Sequence, residues 1–375
     1  MVSISPGKKI FGLDVLRTMA IVLVFFWHYK RYNIPGWLSG ISDFGWTGVD
    51  LFFVLSGYLI GTQLFKLIEE DQPISVSAFY LKRFFRIIPV YVVVLLLYLL
   101  IPAFSEKEGM APLWKFLTFS MNFGLDFQNA GAFSHAWSLC IEEQFYLLFP
   151  IIVILLSKIK AGNKALLIVA ALFVFGFITR IYSWNTFVAT IYADPNKSDM
   201  VPNIYSKYIY YPTYNRLDGL LIGILIALLV TFKPAIRQKI QANGNILFLT
   251  GTIILICTYF FCNTPFTFSS AVFSFPLVSI GYGFLVAGTL SPACFINRFS
   301  LKFFSIVATL SYSIYLTHKQ LNHIVQHFLE DYHLNSTLCF FICFVVAILG
   351  GTLLHYSIEK PFLKLRDKLL KQKQF

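Results

Sequence analysis

An arginine and a histidine lie on one strongly apolar stretch of the chain, where neither is expected without a functional reason. Arg17 and His28 both fall within residues 13–29, a stretch long enough to cross a bilayer. Ionisable side chains inside a membrane segment are by default candidates for a functional site. Their separation of eleven residues returns a helix to nearly the same face about 16 Å further along its axis. One helix face is therefore expected to carry a cation near one membrane surface and an imidazole much deeper.

Other apolar stretches contain further side chains that could take part in chemistry. The candidates that line such a site are Asp50, Ser56, His135, Trp137, Glu142, Glu143, Arg216, Asp218, Tyr312 and His318. A histidine is the side chain that most often serves as a general base, which makes His28 the first candidate for that role. Glu142 or Glu143 would orient the imidazole or stabilise its protonated form. Adjacent residues point about 100° apart on a helix, so one of the two glutamates, with Glu142 preferred, is expected to face the site.

The composition defines the class of protein that must position these residues. Hydrophobic residues make up 57% of the chain and charged residues 13%, and the mean hydropathy is +0.70. These values predict an all-α, polytopic membrane helix bundle rather than a soluble domain. Ten apolar windows are expected to span the membrane: 13–29, 43–65, 87–104, 136–157, 165–184, 214–232, 246–262, 271–291, 302–321 and 337–357. Residues 114–127 are apolar but short, and are interpreted as an interfacial or re-entrant segment.

The distribution of basic residues predicts the orientation of the bundle. Most of the 30 lysines and arginines fall in the N-terminal segment, in alternate loops and in the C-terminal segment, so both termini are expected to be cytoplasmic. This asymmetry accounts for most of the net charge of +12, and a nucleic-acid partner is not needed to explain it. His28, the glutamates and His318 then fall at one level in the outer half, where the loop over residues 185–211 could cover them.

The six cysteines show no zinc-like pairing, and no metal site is predicted.

A second set of residues is expected at the cytoplasmic side. Arg17, Arg83 and Arg86 would lie there, and the fork of an arginine side chain suits phosphate groups. This set and the histidine level lie about one pantetheine arm apart. A long phosphorylated donor could therefore bind with its head at the inner face and its reactive end at the outer site.

The chain resembles membrane acyltransferase family 3 in a run of motifs found from end to end. The motifs are LDVLR followed by His28 with ten residues between arginine and histidine, GVDLFFVLSGYLI, KRFFRIIP, HAWSLCIEEQFY, RLDGLLIG, SYSIYLTH and IEKPF. The resemblance implies a ten-helix domain over residues 1–375 with no appended soluble domain. It also implies transfer of an acyl group, most often acetyl from acetyl-CoA, to a hydroxyl of a carbohydrate or lipid-linked acceptor. Acetyl-CoA or another acyl-CoA would be a substrate, and no tightly bound cofactor is expected.

The resemblance further implies a bacterial cytoplasmic membrane, with other glycan-assembly proteins as further partners. Direct attack with His28 as the base is preferred to a covalent route through Ser56, Ser138 or Ser311, because no nucleophile-elbow motif is present.

Other interpretations remain open on the sequence. The same buried charges would suit a transporter or flippase of a glycan or lipid, and a catalytically silent binding module would keep the fold. The glutamate pair could be structural, satisfied by Arg216 or by tyrosines. Asp218, with Gly219 and Gly223, could instead serve close helix packing.

Overall fold

The molecule is a bundle of α-helices, as the composition predicts. The computed structural model describes residues 10–32, 34–158, 164–262 and 264–372, which form helices and no β-strand. The α-helices in these residues are α1 (Phe11–Tyr29), α2 (Ser39–Asp43), α3 (Gly48–Glu69), α4 (Val76–Leu100), α5 (Leu113–Leu117), α6 (Trp137–Lys158), α7 (Lys164–Ser183), α8 (Ala189–Tyr192), α9 (Val201–Tyr205), α10 (Asp218–Phe232), α11 (Pro234–Ala242), α12 (Gly244–Phe261), α13 (Phe268–Thr289), α14 (Lys302–Leu329), α15 (Ser336–Leu354) and α16 (Lys360–Gln372).

Eight helical segments in the described residues are long and apolar enough to cross a membrane. The count becomes nine if α10 and α11, which meet at an angle of 108°, together form one span. One more predicted window, 302–321, falls in α14, which is 28 residues long but is not among these spans because it carries more polar residues. The all-helical, multi-pass fold is confirmed, and α10 and α14 account for the difference in the number of spans.

Helices α3 and α10 pack with their backbones almost in contact. A Cβ atom added at Gly57 would lie 2.2 Å from the carbonyl oxygen of Leu220, and one added at Gly223 would lie 2.2 Å from that of Val54. Only glycine allows so close an approach, and small residues four apart on a helix are typical of such membrane interfaces. This packing holds α3, which carries Asp50 and Ser56, against α10.

Helix α1 packs against both α3 and α14. Ile21 and Val24 of α1, Phe53 of α3 and Ile314 of α14 are buried in one hydrophobic core cluster. The polar residues of α1 and α14 are held between these apolar contacts. The core therefore fixes the distance between His28 and the polar side chains of α14.

The segments between the long helices close one end of this core. Residues 114–127 do not span the bundle: α5 ends at Leu117, and turns follow. Asn122 in these turns donates hydrogen bonds to the Tyr211 carbonyl oxygen at 3.2 Å and to Thr213 Oγ1 at 2.8 Å. The loop over residues 185–211 is thereby tied down, and its last two residues, Tyr210 and Tyr211, reach the cavity described next.

Candidate active site

Two histidines from α1 and α14 are hydrogen-bonded to each other. Nδ1 of His28 lies 2.8 Å from Nε2 of His318. Nδ1 of His318 in turn lies 2.8 Å from the carbonyl oxygen of Tyr315 and 3.1 Å from that of Ile314. Because a carbonyl oxygen only accepts, Nδ1 of His318 carries the proton, and in the neutral ring its Nε2 is an acceptor. His28 therefore donates through Nδ1, and its Nε2 keeps the lone pair that can take a proton from a substrate.

A cavity of about 50 Å³ lies beside this pair, and we call it the histidine cavity. His28, His135 and Lys319 contribute to its wall, and the His28 and His135 ring centroids are 6.1 Å apart. Most of the remaining wall is aromatic: Trp27, Trp46, Trp137, Tyr210, Tyr211 and Tyr315. His28 thus borders a small space between aromatic rings.

The backbone before α6 places His135 in this wall. Phe133 has a φ of 53°, in the left-handed region, and a single 3₁₀ turn over Ser134–Ala136 follows before α6 begins. Such a conformation is unfavourable for a bulky residue and persists only where the surrounding structure enforces it. Nε2 of His135 lies 3.4 Å from the carbonyl oxygen of Leu316, so α14 supports both His135 and His28.

Lys319 brings a buried positive charge to the histidine cavity. Its ammonium group forms an ion pair with Glu106 and donates to Ser134 Oγ at 3.1 Å. Tyr98 OH donates to the other carboxylate oxygen of Glu106 at 2.6 Å. Burial alone would raise the pKa of Glu106, but the Lys319 charge and these hydrogen bonds outweigh it, and the pKa lies below the ordinary value. Glu106 is thus a carboxylate at neutral pH, opposite the lysine.

A second cavity, of about 140 Å³, contains the predicted arginine set, and we call it the arginine cavity. Arg17, Arg83 and Arg86 line it, although they come from α1 and α4. Arg86 forms an ion pair with Glu359, which also accepts hydrogen bonds from Ser313 Oγ at 2.8 Å and from His355 Nδ1 at 2.9 Å. Arg83 is held less firmly, with its Nη2 3.4 Å from Gln63 Oε1 and its guanidinium over the Tyr146 ring. Guanidinium groups are side chains that can bind phosphate groups in a bidentate geometry, and three of them line this cavity.

Glu142 lies in the arginine cavity and not beside His28. Ser56 Oγ donates to its Oε1 at 3.1 Å and Tyr146 OH donates to its Oε2 at 2.7 Å. The reason is the helical rise, since Glu142 follows Trp137 of the histidine cavity by five residues, about 7 Å along α6. Glu143 on the adjacent face has a buried Oε1 with no hydrogen-bond partner among the described residues. A glutamate is expected beside the His28 ring, but in the structure His318 occupies that position.

Asp50, Arg216 and Asp218 belong to two buried ion pairs. Arg216 Nη2 lies 2.8 Å from Asp50 Oδ1, and its guanidinium lies over the Trp137 ring, 5.1 Å from the centroid. Asp218 is paired with Arg180, whose Nη1 lies 2.7 Å from Asp218 Oδ2. The first pair supports an aromatic wall of the histidine cavity, whereas the second joins α7 to α10.

The two cavities meet at one place in the bundle. Val49 and Tyr315 line both of them, whereas Tyr312 lines the arginine cavity alone. Tyr315 OH donates to the carbonyl oxygen of His135 at 2.7 Å and lies 2.6 Å from Ser138 Oγ. Because its proton is used by the carbonyl, Ser138 is the donor in the second contact. Tyr315 therefore lies between the arginine cavity and the histidine cavity.

Some residues of this arrangement were not identified from the sequence. Lys319 and Arg180 carried a usable signal, because each is a cation within a predicted apolar window. Glu106 lies in a polar loop and carried no such signal. Its role depends on the fold that brings this loop against α14.

Comparisons with known proteins agree with the motifs. The family model of the acyltransferase 3 family, described as an acyltransferase domain, matches residues 10–357. The peptidoglycan O-acetyltransferase OatA of Listeria monocytogenes is 29% identical over 83% of this chain and 49% of its own length. The O-acetyltransferase OatA of Staphylococcus aureus is 27% identical over 94% of this chain and 57% of its own length.

The chain thus spans about half the length of the curated relatives that it matches. No solved structure matches it significantly. The resemblance drawn from the motifs is confirmed, because the family match covers most of the sequence from α1 to the end of α15. The chain belongs to the acyltransferase 3 family.

Proposed function

We propose that this membrane protein transfers an acyl group from an acyl-CoA, most simply acetyl-CoA, to a hydroxyl of a carbohydrate. The names of the two relatives support acetyl as the group and a glycan such as peptidoglycan as the acceptor. The arginine cavity would bind the donor and the histidine cavity the acceptor. The reaction would take place where Tyr315 separates them.

The observation that carries this proposal is the state of the His28 ring. A sugar hydroxyl is a weak nucleophile at neutral pH and needs a positioned base to take its proton. His28 is held through Nδ1 by His318, which leaves Nε2 as the acceptor for that proton. The hydroxyl oxygen then attacks the thioester carbonyl carbon, and CoA leaves as the thiolate, which takes the proton from His28.

The arginine cavity supports a CoA thioester as the donor. CoA carries several phosphate groups at one end, and Arg17, Arg83 and Arg86 offer fork-shaped donors for them. The acyl end would pass Val49 and Tyr315 to reach the histidine cavity. Ser56 and Ser138 donate to Glu142 and Tyr315. In the part of the chain that the structure describes, neither is hydrogen-bonded to a histidine, which favours direct transfer over an acyl-serine intermediate.

The walls of the histidine cavity support a sugar as the acceptor. Trp27, Trp46 and Trp137 give it broad apolar faces, and His28 and Lys319 give it polar groups. A sugar ring has apolar C–H faces and a hydroxyl rim, so its faces would stack on the aromatic rings and its hydroxyls would bond the polar groups.

Because basic loops are cytoplasmic in most membrane proteins, the arginine cavity would face the cytoplasm and the histidine cavity the outer side of a bacterial membrane. Other glycan-assembly proteins would supply or receive the acceptor there.

The experiment that tests this function follows labelled acetyl from acetyl-CoA. Membranes containing the wild-type chain or His28→Ala, at matched amounts, are given acetyl-labelled CoA and a hydroxyl-rich glycan pool. Label is expected on the glycan with wild type and to fall about 10²–10⁴-fold in the variant, which is the usual contribution of a general base. His327→Ala is the matched control, because His327 is 79% exposed on the same helix as His318.

Two results would contradict the proposal. Equal label with His28→Ala and with wild type would remove His28 from the mechanism. Movement of an unlabelled glycan across the membrane, with no acetyl transferred by either protein, would instead favour the transporter interpretation of the buried charges.

A further inference from the structure

We propose that Lys319 is a second catalytic residue, whose ammonium group stabilises the oxyanion formed when the acceptor hydroxyl attacks the acyl thioester. This inference rests on the proposed function, because it assigns a role in that reaction to a residue of the histidine cavity. Lys319 follows His318 directly on α14 and lies outside every motif that led to the family. Only the folded chain shows that its side chain reaches the same cavity as His28.

Lys319 lies in the same cavity wall as the proposed base. Lys319 lines the histidine cavity together with His28 and His135, and its side chain is only 5% exposed. A buried cation is costly unless it is compensated, so its presence beside the base calls for an explanation. In a site of low polarity, a fixed charge interacts with a developing oxyanion much more strongly than it would in water.

The hydrogen-bonding capacity of the ammonium group is not used up by its neighbours. It has three N–H donors, and the described residues provide two partners, Glu106 and Ser134. At least one N–H therefore remains for a ligand in the cavity. Neutralising Glu106 does not by itself require a lysine in the wall of the histidine cavity beside His28.

Glu106 and its neighbours hold this donor in place. Tyr98 OH bonds the carboxylate oxygen that does not face Lys319, so the carboxylate is fixed from the α4 side while Ser134 fixes the ammonium from the α6 side. A donor held before the reaction begins costs no reorganisation in the transition state. Glu106 and Ser134 act through Lys319 and are positioning residues.

The complete step balances as follows. The acceptor oxygen forms a bond to the thioester carbonyl carbon while its proton moves to Nε2 of His28. The carbonyl oxygen becomes negatively charged and accepts the free N–H of Lys319. When the carbonyl re-forms, the carbon–sulfur bond breaks, and the CoA thiolate takes the proton from His28. Lys319 keeps all its protons throughout.

The test must separate this role from that of a structural ion pair. Lys319→Met alone would leave Glu106 buried and unpaired, which is strongly destabilising, so the main variant is Lys319→Met with Glu106→Gln. A second double variant, Lys319→Gln with Glu106→Gln, keeps a hydrogen bond between the two side chains but has no charge. Lys107→Met is the control, because it removes a cation from the loop that carries Glu106. Lys107 Nζ donates to the Phe127 carbonyl oxygen at 2.9 Å.

Each protein is purified in detergent, its folded fraction is measured, and kcat and KM for acetyl-CoA are determined with saturating glycan. We expect the main variant to lose about 10²–10³-fold in kcat, the usual effect of removing one oxyanion donor, with KM for acetyl-CoA close to wild type. The second double variant, which we call the Gln/Gln variant, should also lose most of its kcat. Lys107→Met should keep the kcat of wild type.

Wild-type kcat in the main variant would overturn the role of Lys319. If that variant does not fold, the Gln/Gln variant decides: full kcat overturns the role and a large loss supports it. No transfer by wild type would refute the proposed function itself, and with it this inference, whereas loss in the variants alone concerns only Lys319.

Discussion

In the proposed reaction, the base is the ring nitrogen of His28 that is not hydrogen-bonded to His318. Replacing His318 with alanine removes the acceptor of the His28 Nδ1 proton, so the base loses its fixed orientation without being lost. We expect kcat to fall about 10²-fold, the effect of misplacing a catalytic group by roughly 1 Å, and the loss should be no larger than that of His28→Ala. KM for acetyl-CoA should not change, because His318 does not line the arginine cavity. Steady-state kinetics with labelled acetyl-CoA measures both values.

The matched control for this variant is His323→Ala, because His323 lies on α14 but lines neither described cavity. Wild-type kcat in His318→Ala would show that His28 is oriented by something else. An equal loss in both variants would indicate a general effect on α14.

At the residue scale, the sequence was informative where a polar side chain interrupts an apolar run. Arg17 and His28 stand out for this reason, and the structure places them in the two cavities. The partner of a charged residue could not be found in the same way. His318 was recognised as a site residue, but its contact with His28 joins residues 290 positions apart, and Arg180 was not connected with Asp218 at all. Such pairs depend on helix packing, which a single sequence does not reveal.

At the scale of helices, the close approach of α3 and α10 makes a definite prediction. Gly57→Ala would place a Cβ atom 2.2 Å from a backbone oxygen of α10, so the helices must move apart. Overpacking of this kind costs about 1–3 kcal/mol, and we expect a lower unfolding temperature in detergent. Gly36→Ala is the control, since a Cβ there has no atom within 4 Å beyond its chain neighbours. Equal unfolding temperatures for the two variants would show that the interface is looser than the structure indicates.

The positions of the helices were predictable because apolar length is a local property of the sequence. Each of the ten predicted windows overlaps a long helix, with α1 and α13 within a few residues of the expected bounds. The depth of individual residues was less predictable. Glu142 is expected at the level of His28, yet the rise along α6 places it among the arginines. A hydropathy window locates a helix but not the level at which each of its faces meets its neighbours.

For the whole molecule, the proposed function predicts that donor and acceptor enter from opposite sides of the membrane. The basic loops are expected in the cytoplasm, which would place the arginine cavity there and the histidine cavity outside. In sealed right-side-out vesicles, labelled acetyl-CoA enclosed inside should therefore label a glycan added outside, whereas acetyl-CoA added outside should not. CoA is too polar to cross the bilayer, so the side of addition defines the side of binding.

The same vesicle labelling with Arg17→Met tests whether acetyl-CoA reaches His28 from the arginine cavity. This variant removes a guanidinium from the arginine cavity and leaves the histidine cavity intact, so it should raise the enclosed acetyl-CoA concentration needed for half-maximal labelling. Labelling from outside acetyl-CoA alone would reverse the predicted orientation. Equal labelling from both sides in vesicles shown to be sealed would mean that the donor does not pass from the arginine cavity to His28. Either result would contradict the proposal that donor and acceptor bind on opposite sides of Tyr315.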